Sequence, residues 1–139
     1  MTLRYNPDTV WGPRGRGFSM GVVAPAGRMI HFTGQVAWDA QERIVGAGDV
    51  AEQTRQCFRN IAAVLAPVGG ELADLVSVTT YYLDPAHLPR IQAAREEVFA
   101  GMAPPASTSI MVAGLGSPEF LVELAPIAVI PEGRFVEPG

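Results

Sequence analysis

The sequence predicts an α+β fold, with two helices packed on one face of a sheet. Three observations predict it. Apolar residues recur at helical period in two segments, near 50–65 and 86–100. Five other segments alternate apolar and polar residues or are rich in β-branched and aromatic ones, and the order along the chain is β-β-α-β-α-β-β. The 139 residues, 48% apolar and only 17% charged, fit one domain with a well-buried core.

Residues 1–17 carry Asn6-Pro7, Gly12-Pro13 and the pair Arg14 and Arg16, and read as an irregular arm. Phe18–Val23 and Arg28–Val36 are short apolar runs separated by Ala24-Pro25-Ala26-Gly27, a hairpin signal. In the second run Ile30 and Phe32 face one way and Met29, His31 and Thr33 the other; Gly34-Gln35 then allows a bulge or a close backbone approach. Asp49 and Glu52 have capping-box spacing, with Glu52 expected to reach back to the cap. The helix they open carries Val50, Thr54, Cys57, Phe58, Ile61, Val64 and Leu65 on one stripe and stops near Pro67 and Gly69-Gly70. Leu75–Leu83 is a strand ended by Asp84-Pro85. The second helix tolerates Pro89 in its first turn and turns Leu88, Ile91, Ala94, Val98 and Phe99 inward. Two strands, near 107–112 and 120–130, complete the sheet.

Composition excludes several functions. All ten basic residues are arginine, so neither a lysine Schiff base nor a P-loop is available. A net charge of −4 gives no electrostatic case for nucleic acid, and no apolar run is long enough to span a membrane. One cysteine and two histidines cannot make a four-ligand zinc site unaided, and Cys57 within its helical stripe reads as a small buried apolar residue. The N-terminus has no apolar signal-peptide core, so a soluble, cytoplasmic protein is expected. A sheet covered on one face by so lightly charged a chain implies that another copy covers the second face.

Glu123 is the most informative polar residue. It shares a strand face with Leu121, Ala125, Ile127 and Val129, and an unpaired carboxylate in an apolar row is costly to bury. It is either an acid or base or an interface carboxylate held by backbone amides. His31 and His87 are further proton-transfer candidates; Ser107, Thr108 and Ser109 form a hydroxyl-rich strand start without the spacing of a catalytic triad.

Several motifs, taken together, resemble the RidA/YjgF family across residues 18–130, leaving 131–139 as a tail. They are Ile30-His31-Phe32-Thr33-Gly34-Gln35-Val36, Ile44-Val45-Gly46, Asp49 to Gln56, Asn60 to Leu65, Val76 to Asp84, Pro105-Ala106-Ser107-Thr108-Ser109-Ile110-Met111-Val112 and Val122 to Val129. The resemblance implies a chorismate-mutase-like α+β fold with a mixed sheet, assembled as a homotrimer with sites in the clefts between subunits. It implies hydrolysis of reactive imines or enamines, with no cofactor and no metal. Residue by residue, Glu123 matches the water-positioning glutamate, Thr33 the hydroxyl residue before Gly34-Gln35, and Phe18 the aromatic that closes the pocket. Ser109 matches a small polar position, and Gln92 the amide of the second helix. The arginine that clamps the substrate carboxylate does not match: Ser107 stands there, without the charge or the fork.

The expected ligand is therefore a small molecule not anchored by that arginine, acted on as an imine or enamine. A keto-acid-binding trimer without turnover is the alternative, and a ribonuclease or translation inhibitor a distant one. Weak activity on imines of simple α-amino acids is expected, as is a partial gain from Ser107→Arg.

Overall fold

A computed structural model describes residues 2–139. Helix α1, Val50–Leu65, begins where Asp49 accepts the Glu52 amide at 3.1 Å. The return half of the capping box is absent: Glu52 pairs with Arg55 (3.2 Å) and Arg59 (2.6 Å), and the Asp49 amide donates to Gly46. Two guanidinium donors on the same helix outcompete one backbone amide for the carboxylate. The buried stripe of α1 is Val50, Gln53, Thr54, Cys57, Phe58, Ile61 and Leu65. Val64 is exposed. Helix α2, Leu88–Val98, follows a 3-10 turn at Pro85–His87, has Pro89 in its first turn and turns Ile91, Ala94 and Arg95 inward. Phe58 and Phe99 join the two helices edge to face, with centroids 5.3 Å apart.

The strands are β1 (Leu3–Tyr5), β2 (Gly21–Val23), β3 (Gly27–His31), β4 (Leu75–Tyr82), β5 (Ala106–Met111) and β6 (Val122–Pro131). The main sheet has the order β3-β6-β4-β5, with β4 and β5 parallel and the other pairs antiparallel. The expected hairpin does not form. β2 pairs with β1 from the arm, and β3 pairs with β6 along its whole length. Two features pull these runs apart. Ser19 donates through its amide and hydroxyl to the carbonyls of Pro105 and Pro104, which draws the first run to the β5 end of the sheet. Gly27 seats the second run against β6, where any Cβ would strike the Ile130 carbonyl.

One face of the sheet is core. Val78, Thr80 and Tyr82 of β4 and Val122, Leu124, Ala128 and Ile130 of β6 are buried there beneath the helices, and each large aliphatic side chain contributes about 1.5–3 kcal/mol on burial. The other face presents Ser77, Thr79 and Tyr81 with Glu123, Ala125 and Ile127, all half-buried, and Met29 beside them is exposed.

Candidate functional site

β3 ends at His31, and the chain rejoins β6 only at Gln35, which exchanges both backbone hydrogen bonds with Leu124 (2.8 and 2.9 Å). Gly34 sits in that gap against the Glu123 carboxylate, which any Cβ at 34 would strike. This is the close approach the Gly34-Gln35 step allowed. Thr33 is exposed beside it, its carbonyl accepting from Gln35 Nε2 (3.1 Å). Glu123 is half-buried and, among the described residues, makes no ion pair or side-chain hydrogen bond.

Three residues of α1 hold this arrangement from beneath. The Gln53 amide donates to the carbonyls of Gly46 (3.1 Å) and Glu119 (3.0 Å) and accepts from the Leu121 amide (2.9 Å), which fixes the approach to β6. Asn60 donates to the carbonyls of Val36 and Trp38, both at 2.9 Å, and the Cys57 thiol lies 3.4 Å from the Gln35 carbonyl. Burial pushes the Cys57 thiol up to about 12, and the Glu123 charge pushes the same way, so it is no nucleophile at neutral pH. Gln53 and Asn60 were not singled out from sequence, although both stand near the inward stripe.

Phe18 and Ser107 belong to a second cluster. Between the arm and the starts of β4 and β5 lies a cavity of about 240 Å³. Trp11, Phe18 and Ser19 line one side, and Ser77, Thr79, Ser107 and Thr108 the other. Trp11 and Phe18 meet edge to face at 5.8 Å. Ser107 pairs with Val78, so its side chain points to the helix side of the sheet, where it meets Arg95. The Arg95 guanidinium is 2% exposed. It donates to the Arg16 carbonyl through Nε (3.1 Å) and Nη2 (2.8 Å), and to Ser107 Oγ through Nη1 (3.0 Å). Burial pushes its pKa down to about 10, against the field of Glu96, so it remains a cation at neutral pH.

Arg95 went unnoticed in the sequence, although a charge on the stripe of Ile91 and Ala94 was the available signal. Among the described residues neither Arg14 nor Arg16 forms an ion pair; Arg16 lies over the rings of Trp11 (5.7 Å) and Phe18 (5.6 Å).

Thr79, which lines the cavity, lies on the Glu123 face of the sheet, and Ser107 lies on the other. Glu123 stands opposite Tyr81 and Ser107 opposite Val78, on opposite faces and three residues apart along β4, a separation of at least about 10 Å. Ser109 is exposed on β5, and Gln92 is half-buried on α2 with no side-chain hydrogen bond among the described residues. His31 is exposed, and His87 Nε2 lies 4.0 Å from Asp84. Among the described residues no group of three His, Cys, Asp or Glu side chains could hold a metal, and no helix is long and apolar enough to cross a membrane.

The model of the Endoribonuclease L-PSP family matches residues 14–130. The RutC family protein PH0854 of Pyrococcus horikoshii is 32% identical over 103 residues, 74% of this chain and 80% of that protein. YyfB of Yersinia pestis, a protein of unknown function of the conserved Rid family, superposes with a TM-score of 0.87 at 36% identity, over 93% of this chain and 98% of its own. The YjgF gene product of E. coli superposes at 0.68 with 27% identity, over 80% and 86%.

Proposed function

The chain belongs to the Endoribonuclease L-PSP family, that of RidA and YjgF, and from that premise we propose that it hydrolyses a small imine or enamine to a carbonyl compound and ammonia. The observation that carries this reading is the Glu123 carboxylate, held against Gly34 on the half-exposed sheet face without a protein counter-charge. Such a carboxylate can accept a proton from water as the oxygen attacks the C=N carbon. That proton passes to the nitrogen, and the hydroxyl proton of the adduct follows it through the same carboxylate as the adduct collapses to the carbonyl. Water supplies the oxygen, the C–N bond breaks, and ammonia leaves.

The cleft is completed between copies of the chain in a homotrimer. Glu123 and Ser107 lie on opposite faces of the sheet, three residues apart along β4, and the open sheet face offers a half-buried surface through which copies can associate. Thr33, Gln92 and Ser109 are the remaining ligand-facing positions in this reading. A binding trimer without turnover is the second reading, favoured by serine rather than arginine at position 107. With a net charge of −4, RNA is a poor substrate class.

Two measurements test the proposal. Sedimentation equilibrium is expected to give about three times the 14.8 kDa chain mass; a monomer at micromolar concentration rejects the shared cleft. Hydrolysis is then followed for a panel of imines, some derived from α-amino acids and some without a carboxylate. Acceleration of at least one is expected, with the simple α-imino acids slower than in an arginine-bearing relative. A trimer that accelerates none is a binding protein.

A further inference from the structure

We propose that Arg95 is the positioning residue of the N-terminal arm: its guanidinium locks the arm at the Arg16 carbonyl and so holds the Trp11–Phe18 wall against the cavity. Its bearing on substrate binding rests on reading that cavity as part of the ligand site. Nε and Nη2 both donate to the Arg16 carbonyl, at 3.1 and 2.8 Å, and Nη1 donates to Ser107 Oγ at 3.0 Å. One rigid, planar group on α2 thus fastens the arm and β5 at once, which a single point charge does not do. Arg95 is buried and has no carboxylate partner among the described residues, so these hydrogen bonds are its compensation for leaving water.

The arm changes character at this point. Residues 5–11 are exposed, whereas Gly17, Phe18 and Ser19 are buried. Gly17, at φ +75°, lies so close to α2 that a Cβ there would meet the Glu96 amide nitrogen at 2.8 Å and the Arg95 carbonyl carbon at 3.0 Å. On the upstream side the fastening passes through Arg16 itself. Its carbonyl is held by Arg95, while its own side chain donates to the carbonyls of Pro13 (2.9 Å) and Gly12 (2.7 Å). The same side chain lies over the Trp11 and Phe18 rings, and Arg95 lies 5.8 Å from the Phe18 ring on its own account. Trp11 is 64% exposed, so core burial does little to keep it in place. Its position depends on the chain of contacts that begins at Arg95.

Trypsin reads the lock directly, because the carbonyl of the bond it cuts after Arg16 is the one that Arg95 holds. That carbonyl must turn away from Arg95 before cleavage, whereas the bond after the exposed Arg14 needs no such release. In Arg95→Met, initial cleavage after Arg16 is expected to quicken at least about tenfold, with cleavage after Arg55 and Arg59 of α1 unchanged. Trp11 anisotropy, read in a Trp38→Phe background, should gain a nanosecond component that the wild type lacks. Gly17→Ala pushes the arm off α2 with Arg95 intact and should give the same two changes; it decides if Arg95→Met does not fold. Wild-type cleavage after Arg16 in the folded variant, or equal acceleration after Arg55 and Arg59, overturns the proposal. For acetophenone imine, a probe without a carboxylate, Arg95→Met should raise KM about three- to tenfold and leave kcat unchanged. An unlocked arm with unchanged KM, or a fall in kcat alone, removes Arg95 from substrate positioning. Unlocking in a protein that hydrolyses no imine rejects only the catalytic reading, and Glu123-dependent hydrolysis without unlocking rejects only the lock.

Discussion

Glu123→Gln is expected to lower kcat for imine hydrolysis by about 10²–10⁴ while leaving substrate affinity little changed. The amide has the shape of the carboxylate, so it fits the same space against Gly34. It cannot accept a proton from the attacking water. Because Glu123 is half-buried and makes no ion pair among the described residues, its loss should alter folding stability by no more than about 0.5 kcal/mol. The measurements are kcat and KM for one accepted imine, with a denaturant midpoint for each protein. A variant as fast as the wild type removes Glu123 from the chemistry. A variant that is slow because it is partly unfolded shows up in the midpoint instead.

Ser107→Arg is expected to destabilise the fold by about 1–3 kcal/mol, the cost of forcing a larger side chain into space beside the Arg95 guanidinium. Sequence alone leads to the expectation of a partial gain of activity, blunted where the space an arginine needs is already filled. The structure fills it: the Arg95 guanidinium lies 3.0 Å from Ser107 Oγ. A second guanidinium there would crowd the first, and two like charges in one neighbourhood repel. Against a typical total of about 5–15 kcal/mol, a loss of about 1–3 kcal/mol is a large fraction of stability. The double variant Arg95→Ser with Ser107→Arg moves the one arginine from helix to strand and should recover most of the loss. It should also raise kcat/KM for carboxylate-bearing imines by up to about one to two decades, since the anchor then touches the substrate directly. Denaturant midpoints and kcat/KM for the three variants decide the matter. A Ser107→Arg protein as stable as wild type would show that Arg95 does not hold this space.

Much of the fold was legible because it follows from local periodicity. The stripe from Val50 to Leu65, the β-branched run of β4 and the alternation around Glu123 each depend on residues close in the chain. The failures have a common origin. The hairpin expected between 18–23 and 28–36 had suitable turn residues, yet its strands found distant partners in β1 and β6. Glu52 had the right spacing to return to its cap, yet Arg55 and Arg59 captured it. In both, a more favourable partner competed with a correct local signal.

The sequence by itself determined the α+β class, the order of the main elements, the family, and the face of β6 that carries Glu123. Periodicity and short motifs encode these directly. Only the tertiary structure decided that Gly34 backs Glu123, that Gln53 and Asn60 of α1 brace the segments around it, and that Arg95 stands behind Ser107. Those relations join residues far apart in the chain, and their side-chain directions depend on how the helices settle on the sheet. No spacing rule records that Arg95 of α2 lies 3.0 Å from the Ser107 hydroxyl of β5.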